Sequence, residues 1–74
     1  MTRETLNQII DDVLYGSISA SVVYIYTRFQ AVRLVKDAND KWPAFTLSDS
    51  LLTLELPDGY HFINIEGIDL ITAN

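Results

Sequence analysis

Few side chains in this sequence can act on a substrate. His61 is the only imidazole, and the 74 residues contain no cysteine. A hairpin with a three-residue turn sets Glu55 opposite His61. A carboxylate beside a histidine orients the ring and raises its basicity, as in acid–base pairs. Such a pair also needs a nucleophile or a second acid within reach, and the sequence places neither. A strand histidine bonded to a neighbour or to water is the plainer expectation. No catalytic residue is assigned, and the chain is not expected to be an enzyme.

Metal and phosphate chemistry find equally little. Without Cys there is no thiolate site, and one His excludes any site built on two imidazoles. Asp37-x-Asn39-Asp40 begins like a calcium loop. Its sixth and twelfth positions hold Trp42 and Ser48, where such a loop needs Gly and Glu. Gly16, Gly59 and Gly67 are too dispersed to cradle a phosphate. No metal and no cofactor is expected.

Charge is the more informative chemistry. Five Lys+Arg stand against ten Asp+Glu, a formal charge of −5. Every basic residue, Arg3, Arg28, Arg33, Lys36 and Lys41, falls in the first part of the chain, balanced by Glu4, Asp11, Asp12, Asp37 and Asp40. From Trp42 onward there are only acids: Asp49, Glu55, Asp58, Glu66 and Asp69. A field of one sign steers a partner of the other. The acidic half, with Trp42 and Tyr60 as aromatic anchors, is therefore the expected surface for a basic partner protein. Solvated acidic turns that keep an apolar hairpin soluble are the simpler alternative. The overall acidity argues against nucleic acid as a partner.

A second set of residues points the other way. Arg28 and Arg33 lie near Tyr24 and Tyr26, the ingredients of a strand surface on which bases stack. With a helix ahead of a bent run of strands, the element order resembles that of Sm-like RNA-binding rings. The resemblance is topological, and the glycine-containing strand pair of that family is missing here. It implies an alternative in which Tyr24, Tyr26, Arg28 and Arg33 bind RNA or a nucleotide ligand.

The elements that would position these residues follow from the apolar pattern. Leu6, Ile9, Ile10, Val13 and Leu14 mark one face of a helix over 3–15. Thr2 or Thr5 caps its start, with Thr5-x-x-Gln8 fitting a capping box, and Gly16 stands at its end. Residues 18–36 are β-branched and aromatic but too many for one strand, so two are expected, about 20–28 and 30–36. The 4-3-4-3 spacing of Ile18, Val22, Ile25, Phe29 and Val32 leaves a second helix as the alternative. Residues 37–43 form a turn, 44–47 a short strand and 48–50 another turn.

Leu51–Leu56 and Tyr60–Glu66 flank Pro57-Asp58-Gly59, which predicts a β-hairpin. Turn chemistry pairs Leu56 with Tyr60 and Glu55 with His61. Shifting by one to pair Leu54 with Ile63 sorts polar from apolar more cleanly, but the turn is given precedence. Ile68–Ile71 follows as a last strand. The whole chain, 1–74, reads as one α+β domain. An N-terminal amphipathic helix is followed by a curved antiparallel sheet of 4–5 strands; two helices plus a C-terminal hairpin is the alternative.

Size adds one constraint. A domain this short buries only about 60% of its unfolded surface. At 49% hydrophobic residues, with neither disulfide nor metal, it has more apolar surface than so small a body hides. A homo-oligomer, most simply a homodimer, resolves that excess. The longest uncharged run, Val13–Thr27, has 15 residues and is too short to span a bilayer. The charged start is unlike a secretion signal, so a cytoplasmic chain free of the membrane is expected. The sequence thus reads as a small, acidic, non-enzymatic protein–protein interaction module. By analogy of size it resembles inhibitors or accessory proteins of phage or mobile-element type.

Overall fold

The computed structural model describes residues 1–16 and 18–74. Helix α1 (Arg3–Leu14) is followed by β1 (Val22–Thr27), β2 (Ala31–Val35), β3 (Phe45–Leu47), β4 (Leu51–Leu56), β5 (Gly59–Asn64), a single 3₁₀ turn η1 (Ile65–Gly67) and β6 (Ile68–Ala73). The strands form two antiparallel sheets of three, ordered β2–β1–β6 and β3–β4–β5. The α+β class and the leading helix agree with the sequence. The single curved sheet is corrected to two sheets, and no strand bridges them among the described residues. The barrel-like resemblance therefore stops at element order.

Local chemistry accounts for the helix. Thr2 Oγ1 accepts the Thr5 amide at 3.2 Å and donates to Thr5 Oγ1 at 2.9 Å. The cap is Thr2, and Gln8 instead bonds Asp12 one turn on, so the Thr5–Gln8 box is not formed. Gly16 follows the C-cap at φ 124°, a conformation that costs other residues. Of the predicted face, Leu6 and Val13 are buried, and Ile9, Ile10 and Leu14 are half-buried against the core.

Residues 22–35 form a hairpin of two strands, which overturns the second-helix alternative. Alternation decides it. Val23, Ile25, Val32 and Leu34 point inward, while Tyr24, Tyr26, Arg33 and Val35 face out. Thr27 stitches the turn, its hydroxyl accepting the amides of Phe29 and Gln30. Asp37 organises the next loop, Oδ1 accepting the amides of Asn39 and Lys41 at 2.8 and 3.0 Å. Asp40 takes a positive φ there. β6 then returns to lie against β1, pairing Val23 with Ala73 and Ile25 with Ile71.

The β4–β5 register departs from both sequence readings. Leu56 pairs with Gly59, Glu55 with Tyr60, Leu54 with His61 and Leu52 with Ile63. Pro57 and Asp58 alone form the loop, and Gly59, at φ 130°, opens the strand instead of closing the turn. The pairing puts Leu52, Leu54 and Ile63 on the inner face, and burial of that face fixes the register.

The core lies between the inner faces of the two sheets and the apolar stripe of α1. Leu6, Leu52, Ile65 and Ile68 are almost wholly enclosed. Ile65 and Ile68 bracket η1, the element that carries the chain from one sheet to the other. The space beneath the helix, bounded by Leu6, Ile9, Val13, Trp42, Phe45 and Leu54, is about 40 Å³ and lined by apolar side chains. Ligand pockets run to roughly 300–1,000 Å³, so this is packing slack and not a binding cavity. No helix among the described residues is long and apolar enough to cross a membrane.

Candidate protein-interaction surface

The second sheet carries most of the acidic half. Its outer face alternates with its buried one, so Leu51, Thr53 and Glu55 on β4 and Tyr60, Phe62 and Asn64 on β5 look toward solvent. Tyr60 and Phe62 are 65% and 68% exposed, with ring centroids 6.5 Å apart and planes 25° from parallel. Glu55 is the cross-strand neighbour of Tyr60, and Asp58 stands in the adjoining turn. Tyr60, Glu55 and Asp58, three of the predicted partner-binding residues, are thus gathered at one end of one sheet. Phe62 was not among them. Its alternation with Ile63 on a hairpin strand was the available signal, obscured by the misplaced register.

The other predicted partner residues are dispersed. Glu66 and Asp69 line an open hollow of about 460 Å³ with Arg28, Phe29 and Phe62. Asp49 stands in the β3–β4 turn, beside the Ser48 carbonyl to which Arg3 Nε donates at 3.1 Å. Trp42 is half-buried, with the Lys36 ammonium 5.5 Å from its ring centroid, a cation–π contact. Lys36 also pairs with Asp40 at 3.6 Å.

His61 does not face Glu55. Register carries it opposite Leu54, and its Nε2 bonds Asp58 Oδ1 at 3.0 Å. That bond, with the charge of the imidazole adding to it, holds the Asp58 carboxyl below the usual aspartate value. The acid–base pair imagined with Glu55 is therefore replaced by a local turn contact. Among the described residues no three His or carboxylate side chains come together as a cation site.

The alternative ligand set is split. Tyr24 and Tyr26 stack at 6.0 Å on the outer face of the first sheet, with Arg33 paired to Tyr24. Arg28 lies beyond the strand, in the hairpin turn. The stacking face consequently holds one cation, not two. Comparison with models of protein families, with curated proteins and with solved structures finds no match to this chain.

Proposed function

We propose that the chain is a small, non-enzymatic interaction module that self-associates and offers its acidic half to a basic surface of a partner protein. One observation carries the reading: Tyr60 and Phe62 are stacked and largely exposed beside Glu55 and Asp58, on a sheet without Lys or Arg. Aromatic side chains are concentrated at interface centres, where they supply large contact area, and charge around them steers encounter. An inhibitory or accessory role suits a body of this size. The test is affinity capture from cells with the native chain and with a Glu55→Lys/Asp58→Lys variant, quantified by mass spectrometry. A basic protein retained by the first and lost with the second supports the reading. Equal capture by both, or none by either, overturns it.

A second reading rests on the Tyr24–Tyr26 stack with Arg33 opposite, a surface that suits single-stranded RNA. It requires binding to a fluorescent oligouridylate that weakens with salt and on Arg33→Ala. Absence of binding at low salt removes it.

A further inference from the structure

We infer that β5 is the edge through which two copies of this chain join, antiparallel, about a two-fold axis at His61. The two β3–β4–β5 sheets then form one of six strands. The inference rests on the self-association in the proposed function and names the surface responsible.

Hydrogen-bond parity identifies the edge. The Ile65 amide donates to the Ser50 carbonyl at 2.9 Å, and the Glu55 amide donates to the Ala44 carbonyl at 3.0 Å. Residues of an antiparallel pair bond alternately to one side and the other. Leu52, Leu54 and Leu56 therefore bond toward β5, and His61 and Ile63 bond back. Tyr60, Phe62 and Asn64 are left with amide and carbonyl directed outward, and β5 has no second strand neighbour among the described residues.

This edge is also the least charged of the long ones, and the β1–β2 hairpin flanks it only across open hollows, with Arg28 and Phe29 near Phe62 and Ala31 and Arg33 near His61. Soluble proteins blunt open edges with charge, proline, bulges or brevity. β2 has Arg33 at its centre, β3 is three residues long, and β6 carries Asp69. β5, Gly-Tyr-His-Phe-Ile-Asn, has no acid, Lys, Arg or Pro, and its ladder to β4 runs without a register shift. The same residues that open the edge bear the exposed rings.

Charge selects both the occupant and the register. Copies of a chain with charge −5 approach best through a strip that carries no acid. Outward-bonding residues must face one another. A two-fold axis at Phe62 would set Asp58 opposite Glu66 of the second copy at both ends. An axis at His61 pairs Tyr60 with Phe62 of the second copy and sets Asp58 opposite Asn64 instead. Like charges directly opposed destabilise a pair, and facing aromatics favour it. The second arrangement gathers four rings into one cluster on the outer face. So short an edge lies at the small end of specific interfaces, below roughly 1,200 Å² in total, so the dimer is expected to dissociate on dilution.

The cysteine-free sequence permits a direct test. His61→Cys sets a thiol opposite its own copy in a non-hydrogen-bonded pair, where Cα atoms are about 4.5 Å apart, within the span of a disulfide. Under mild oxidation His61→Cys should form disulfide dimers at least tenfold faster than Tyr15→Cys, whose position is exposed but remote from the edge. Sedimentation of the unaltered chain should show a concentration-dependent dimer, and Phe62→Lys should abolish it with the circular dichroism unchanged. A dimer indifferent to Phe62→Lys, with no preference for crosslinking at 61, overturns the edge and leaves self-association standing. A monomer at all concentrations up to millimolar overturns both.

Discussion

His61 Nε2 lies 3.0 Å from Asp58 Oδ1, so the imidazole closes over the turn that precedes its own strand. Because the folded carboxyl is held below its ordinary value, its contribution to stability is full above the unfolded aspartate value of about 3.9 and fades as pH falls through the depressed one. A carboxyl-carbon NMR titration should find Asp58 below the ordinary aspartate range, and His61→Ala should return it there. An Asp58 titration unmoved by that substitution would sink the assignment.

Gly59 and Gly67 make a matched comparison. Neither has a heavy atom within 4 Å of where a Cβ would stand, but Gly59 alone of the two has a positive φ, 130°. Gly59→Ala should cost about 1–2 kcal/mol through backbone strain alone. That corresponds to a fall in Tm of roughly 4–8 °C per kcal/mol for a domain of this size. Gly67→Ala should leave Tm nearly unchanged, and calorimetry of the two variants decides the point.

Leu6 is wholly buried where the helix meets both sheets. Leu6→Ala should cost about 2–5 kcal/mol, enough to unfold much of so small a domain at 37 °C. Phe62→Ser, at an exposed position, should change the stability of the isolated chain by about 0.5 kcal/mol or less. Urea unfolding at low protein concentration separates the two.

Thr2 is the N-terminal side-chain cap of α1, through its contact with the Thr5 amide. Thr2→Ala should destabilise the domain by about 1 kcal/mol, and Thr2→Asp should restore most of the loss. If Thr5→Ala proves the costlier change, the cap is misassigned.

The helix was legible in the sequence because Leu6, Ile9, Ile10 and Val13 repeat with a period that only a helix satisfies. The β1–β2 hairpin was legible in part. β-Branched and aromatic residues announced strands, but Thr27, which stitches the turn, carries no glycine or proline to mark it. The β4–β5 hairpin announced itself through Pro57-Asp58-Gly59, yet its register did not. Leu51, Tyr60 and Phe62 on the outer face are as apolar as Leu52, Leu54 and Ile63 on the inner one, so alternation could not tell the faces apart. That ambiguity hid Phe62 and produced the Glu55–His61 pairing. Neither the second sheet nor η1 has a local signature. Both depend on Ile65 and Ile68 finding the core from opposite ends of one short turn.

The pairing of Val23 with Ala73 joins positions far apart in the chain. The three hairpins, β1–β2, β3–β4 and β4–β5, are local and assemble early, whereas β1 keeps an empty flank until Ile68–Ala73 has been synthesised. A growing polypeptide therefore carries an adhesive half-sheet until β6 emerges, and deleting β6 would make that hazard permanent.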